Sequence, residues 1–283
     1  RGGSWDYLAR GTRSAHRNTH TADYRRNYDG FRLVRELDDS TQSTPPPVPP
    51  TAPAIESITN TLGMKLTLIP AGTFMMGSPE SEEDRQDDEH QHQVTISTSF
   101  YMQTTEVTQG QWKAVMGTEP WMTKQALGFA KLQPRPGNVD DYPVVWVSSY
   151  DAIEFCRKLS KKTGRTVSLP TEAQWEYACR AGTETPFAFG DRADPDNGNF
   201  KGGYPREYAE SLSSDDIYGS REVGHYEPNA WGLFDMHGNV SEWCYDRFNS
   251  RYPGGVKTDY AGPESGTDHV LRGGGWEDFA HHC

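Results

Sequence analysis

A chain of 283 residues with a net charge of −12 would be repelled by a phosphate backbone, which argues against a nucleic-acid partner. Hydrophobic residues make up only 34%, while 28 glycines, 19 prolines and 12% aromatics point away from a long helical bundle and toward a loop-rich body built around large rings. No stretch approaches the roughly 20 apolar residues of a membrane span, and the cysteines (Cys156, Cys179, Cys244, Cys283) are too sparse for a disulfide scaffold and form no CxxC pair for zinc.

Residues 1–5, Arg-Gly-Gly-Ser-Trp, reappear near the other end as Arg-Gly-Gly-Gly-Trp at 272–276. Such a repeat is expected of a window cut from a tandem array, one domain ending early in the chain and the next breaking off at Cys283. Between the copies, residues 38–54 are rich in Ser, Thr and Pro, the composition of an extended spacer; a ligand for a proline-binding module is the alternative reading. A strand is predicted over Met64–Ile69, where apolar residues alternate, and Gln93–Ser97 and Pro143–Val147 are further strand candidates.

Capping residues mark three helices. Thr108 with Gln111 opens the first and Gly117 closes it. Ser148 or Ser149 opens the second, with Ala152, Phe155, Cys156 and Leu159 on one face and Gly164 at its end. Thr171 with Gln174 opens the third, with Trp175, Ala178 and Cys179 along one side and Gly182 as its stop. Cys156 and Cys179 on these apolar faces read as packing residues. Residues 183–268 read as loops with short strands. The acidic run from Glu80 to Glu89 reads as a solvated loop. His90 and His92 read as two positions on one polar strand face, with metal ligation as the alternative. Arg272-Gly-Gly-Gly275 lacks the Lys-Ser/Thr of a phosphate loop and reads as a backbone turn.

Several phrases together resemble the formylglycine-generating-enzyme (sulfatase-modifying-factor) family: Ile69-Pro-Ala-Gly-Thr-Phe-Met-Met-Gly77, Glu106-Val-Thr-Gln109, Pro143-Val-Val-Trp-Val-Ser148, Leu169-Pro-Thr-Glu-Ala-Gln-Trp175, Gly232-Leu-Phe-Asp-Met-His-Gly-Asn-Val-Ser-Glu-Trp243 and Arg272-Gly-Gly-Gly-Trp276. They occur in the family's order. The resemblance implies an α+β, C-type-lectin-like fold with little regular secondary structure. It also divides the chain: residues 1–35 resemble the C-terminal tail of a preceding family domain, 36–59 form the linker, and 60–283 form a family domain truncated at its C-terminus. The alternative is that the tail completes the 60–283 domain in cis, burying Phe31 and Val34 against its strands.

The family's activity is oxidation of a sulfatase cysteine to formylglycine by oxygen, at two thiolates holding Cu(I). The resemblance places the second thiolate at Cys283 and the first at Asp278; in the early copy the same positions are Tyr7 and Thr12. A carboxylate is a hard ligand and replaces a thiolate poorly at soft Cu(I). The expectation is therefore a divergent binding or accessory module with a protein or peptide ligand, a sulfatase among the candidates; the copper oxidase is the alternative. A sulfoxide-synthase role ranks last, because no histidine-rich helical domain accompanies the phrases. A site rebuilt from Asp278, a histidine (His269, His281 or His282) and Cys283 stands against the reading of a polar loop.

Two calcium sites are also implied by the resemblance. Asn199 and Asp215 would supply side chains at the first, with the carbonyls of Phe200 and Ile217. Asp235 and Glu242 would do so at the second, with the carbonyls of Gly238 and Val240. All are hard oxygen donors, as Ca²⁺ requires. The alternative for Asp235 is a turn residue capping the backbone.

Overall fold

The computed structural model describes residues 13–37, 56–123, 139–202, 219–252 and 254–280. It is an α+β fold. The strands are β1 (Asn18–Thr21), β2 (Asp29–Gly30), β3 (Val34–Glu36), β4 (Ser57–Thr59), β5 (Lys65–Ile69), β6 (Gly72–Met76), β7 (His92–Ile96), β8 (Phe100–Gln103), β9 (Val167–Ser168), β10 (Ser241–Arg247), β11 (Lys257–Thr258) and β12 (Asp268–Arg272). The helices are α1 (Gln109–Met116), α2 (Ser149–Thr163) and α3 (Glu172–Arg180).

Local chemistry sets the helices. Each begins at a reciprocal capping box, Thr108 with Gln111, Ser148 with Asp151 and Thr171 with Gln174, so side chains satisfy donors the helix itself leaves open. Gly117 and Gly164 end the first two in the left-handed region that favours glycine. The third ends one residue earlier than Gly182 implies: Ala181 takes the left-handed position at φ 46°. The buried face of α2 is Ser149, Ala152, Phe155, Cys156 and Leu159.

Three sheets are assembled largely from distant segments: β1-β12-β10-β2, β11-β7-β6 and β4-β5-β8-β3-β9. Residues 13–37 enter two of them. β1 pairs antiparallel with β12, Asn18 opposite Leu271. β2 pairs parallel with β10, Gly30 opposite Glu242. β3 is inserted between β8 and β9, Val34 opposite Met102 and Ser168. Phe31 is fully buried, edge-on to Trp112 and Phe155 at centroid distances of 6.1 and 5.3 Å.

Three arginines of this segment are buried, each opposite acids from other parts of the chain. Arg13 meets Glu82 and, at 2.8 Å, Glu89. Arg17 bonds both oxygens of Glu172 at 2.6 and 3.0 Å, beneath the rings of Tyr252 and Phe248. Arg32 holds Glu242 through three contacts of 2.6–2.9 Å. Low dielectric makes these pairs strong and their separation costly. Glu82 and Glu89 thereby leave the solvent that the acidic-run reading assigned them.

Two further expectations are corrected. Pro143–Val147 is not a strand. Trp146 sits at φ 62°, which breaks extended geometry, and its N–H donates to the Arg26 carbonyl while that of Val144 donates to Val107. His90 and His92 do not share a polar face: His90 is exposed, while His92 is buried with its ring 4.5 Å from Tyr252.

Candidate functional site

The segment after β12 begins with Gly273 and Gly274, at φ 86° and 64°. A side chain on Gly273 would meet the indole of Trp175 at 3.0 Å, so the turn requires glycine for both conformation and space. Arg272 anchors it from below. Its guanidinium bonds Glu176 and the carbonyls of Ser14, Ala15 and His16. The backbone-turn reading of this phrase agrees with that role.

The turn continues to Asp278. Its carboxylate points back, Oδ2 accepting from the Gly275 N–H at 2.8 Å, while its own N–H donates to the Gly275 carbonyl at 2.9 Å. The Asp278 carbonyl accepts from Lys201 N–H at 2.8 Å, tying the turn to the segment after Asn199. Asp278 is 5% exposed. Burial pushes its carboxyl up to about 7, opposed by the Gly275 bond and by Arg26. Asp29 lies within electrostatic reach, fully buried and pushed up to about 6 by that burial. Its Oδ2 accepts from Arg26 at 3.2 Å, and its Oδ1 has no hydrogen-bond partner among the described residues. The residue that the resemblance sets at the first thiolate position is thus a buried, turn-capping carboxyl within electrostatic reach of a second one.

That arrangement does not fit Cu(I). Cys283, His281 and His282 lie outside the described residues. Cys156, Cys179 and Cys244 are buried; burial pushes the first two thiols up to about 12 and Cys244 well above the usual range. His269 is buried in β12, opposite His20 of β1. Among the described residues, no three His, Cys, Asp or Glu side chains lie close enough to hold a metal ion.

The candidate calcium residues divide. Asn199 is fully buried, its Nδ2 donating to the Gly219 carbonyl and to Asn239 Oδ1. Among the described residues its Oδ1 has no hydrogen-bond partner, which is what an oxygen suited to a hard cation would show. Phe200 is buried beside it, and Asp215 and Ile217 lie outside the described residues. At the second set Glu242 is committed elsewhere: both oxygens accept from Arg32, and Oε2 also from Trp175 Nε1 at 2.9 Å. A guanidinium stands where an ion's charge would act, so this set does not fit calcium. Gly238 donates to Gly273, and Val240 packs on Trp146. Asp235 does cap backbone, as the turn reading expects, but on a remote segment: Oδ2 accepts from Gly224 N–H at 2.5 Å.

Glu106 was not singled out by sequence reasoning, although it opens the phrase Glu106-Val-Thr-Gln109. It is fully buried, bonded at Oε1 by Asn239 Nδ2 at 2.8 Å, with Oε2 unpartnered among the described residues. Burial, then the charge of Asp235, pushes it well above the usual carboxylate range. Its identity as a motif glutamate was the available signal.

Comparison with known proteins agrees with this geometry. The family model described as "Sulfatase-modifying factor enzyme 1-like domain" matches residues 52–283. The formylglycine-generating enzyme of Bos taurus is 26% identical over 259 residues, covering 77% of this chain and 67% of that protein. A serine/threonine-protein kinase of Chlamydia caviae is 31% identical over 231 residues, 76% of this chain but only 33% of the kinase. Among solved structures, PvdO from Pseudomonas aeruginosa superposes with a TM-score of 0.63 at 28% identity, covering 79% of this chain and 87% of its own. Treponema denticola variable protein 1 gives 0.61 at 26%, covering 82% and 91%. With the matched region covering most of the chain, and the fold in agreement, this protein belongs to the sulfatase-modifying factor enzyme 1-like domain family.

Proposed function

We propose that this domain is a divergent member of its family that binds a protein or peptide ligand without oxidising it. The observation that supports this reading most directly is Asp278: where the enzymes need a thiolate, a buried carboxylate is turned onto the Gly275 N–H. A ligand oxygen engaged in that way is both too hard for Cu(I) and already used. Calcium, on this reading, has a structural role at the Asn199 set alone.

Residues 13–37 are proposed to be an integral part of the domain, supplying the central strand of one sheet and the arginines opposite Glu89, Glu172 and Glu242. Among the described residues no helix is long and apolar enough to cross a membrane.

The test is incubation of the protein with a Cys-x-Pro-x-Arg peptide, copper, a thiol reductant and air, followed by mass spectrometry. The expected result is unmodified peptide. Aldehyde that forms at catalytic turnover and disappears in Cys283→Ser would replace this reading with that of a copper oxidase.

A further inference from the structure

β1 is an edge strand of four residues, joined to its sheet through β12. Two histidines meet across that seam: His20 stands directly opposite His269. Side chains so opposed in an antiparallel pair project from the same face, with Cβ atoms about 4.5–5.5 Å apart. His20 stacks on Tyr24 at a centroid distance of 4.3 Å, and Tyr150 of α2 sits edge-on to His269 at 6.5 Å. His269 is 4% exposed. Nε2 of His20 and both ring nitrogens of His269 are shut off from solvent and have no hydrogen-bond partner among the described residues. Such a setting suits a neutral ring far better than an imidazolium, which carries a charge and a donor on each nitrogen.

The charges around the pair do not relieve it. Burial, then Arg26, pushes His20 down to about 4. Burial, then Arg247 of β10, also lowers His269. Asp268 acts the other way on both rings, as do the carbonyls of Cys244 and Tyr245 on His269, without reversing the shift. Asp151 of α2 is bonded to Arg25. The segment is pinned on both sides of β1. Before it, Arg17 bonds Glu172, and Arg272 holds the carbonyls of Ser14, Ala15 and His16. After it, the Ala22 carbonyl accepts from Ser149 Oγ, and the Arg26 carbonyl from the Trp146 N–H. Opening between those pins requires only that β1 and β12 part.

We propose that the His20–His269 pair is a pH-sensitive latch: at neutral pH it keeps β1 closed on β12, and protonation in mildly acidic solution releases β1 locally, baring the edge of the strand that leads into the Gly273–Asp278 turn. In the released strand both rings return to water, where histidine titrates near 6.5. The closed form therefore binds protons less tightly than the open one. Closure is fully favoured above pH 6.5 and weakens as pH falls toward 4. Two imidazoliums on one face also repel each other. Half-buried His20 alone should raise the opening constant about tenfold between pH 7.5 and 5. The inference does not depend on whether the domain oxidises its ligand.

The test is amide hydrogen exchange of the whole chain at pH 7.5 and 5, expressed as protection factors so that the intrinsic pH dependence of exchange is removed. The β1 amides bonded to β12 should lose about tenfold in protection at pH 5, while those of β5 and β8 keep theirs. His20→Phe retains a ring to stack on Tyr24 and cannot titrate, so its β1 protection should vary much less with pH. An NMR titration of the imidazoles in the wild type gives a readout that needs no variant: His20 should titrate below pH 5. A His20 ring that titrates near 6.5, protection of β1 that is the same at both pH values, an equal loss across β5 and β8, or an undiminished pH dependence in a folded His20→Phe would each overturn the proposal.

Discussion

Asp278, which the proposed function sets at a thiolate position of the family's enzymes, spends its side chain on the backbone of its own turn. The proton it holds carries a measurable signature. An ordinary aspartate titrates at 3.8, and burial pushes this one up to about 7. The folded state therefore binds the proton more tightly than the unfolded chain. Its contribution to stability is complete below the lower value and is lost as pH rises through the higher one. Asp278→Asn keeps an oxygen for the Gly275 N–H but removes the titration. Between pH 5 and 8 the wild type should lose on the order of 2 kcal/mol relative to this variant, read from urea unfolding. Parallel pH profiles would show that Asp278 is ionised throughout. Asn199 gives a second test at this scale. Added calcium should raise the melting temperature of the wild type and leave that of Asn199→Ala unchanged; a wild type indifferent to both calcium and chelator would remove calcium from the account. These residues were legible as family positions, but their present partners were not. Nothing in the local sequence announces that Glu242 meets Arg32, which lies 210 positions away.

The helices were readable because their determinants are local. Three capping boxes and two closing glycines lie within a few residues of the turns they control. Strands were readable only in part. β7 follows its alternation and β5 forms where predicted, although Thr67 is buried beside Leu66 and Leu68 only half-buried, whereas the apolar run Pro143–Val147 is not a strand, because Trp146 adopts a left-handed backbone to reach Arg26. β2 and β3 had no signal of their own; two or three residues acquire strand geometry only from partners elsewhere in the chain. The ion pairs between elements should dominate stability. Arg32 is fully buried, and Arg32→Ala would leave Glu242 without its partner. The expected loss is about 3–5 kcal/mol in chemical denaturation. Arg157→Ala, which removes an exposed pair with Glu154 within α2, should leave the denaturation midpoint unchanged. Equal effects from the two would mean that the buried pairs have no special weight.

The molecule as a whole is closed by contacts between the early segment and elements distributed over the rest of the chain. β1 and β2 are the edge strands of the sheet whose centre is β10 and β12, and this segment also supplies one face of the cluster around Phe155 and Trp112. A single proteolytic cut between residues 38 and 55 should therefore leave the two pieces associated through gel filtration under native conditions, separating only in denaturant. Immediate separation after the cut would assign the early segment to another domain. The family phrases located the domain and left this closure as one of two readings, because the pairings that decide between them, such as Val34 with Met102, join distant residues.

On the proposed function, one sulfur and one committed carboxylate do not make a Cu(I) site. The most direct measurement is competition for Cu(I) against a chromogenic chelator, with the wild type and Asp278→Cys side by side. The wild type should leave the copper with the chelator, and the variant, with two thiols restored at the family spacing, should withdraw it with at least about a hundredfold higher affinity. A wild type that takes one equivalent of Cu(I) as tightly as the variant would contradict the account.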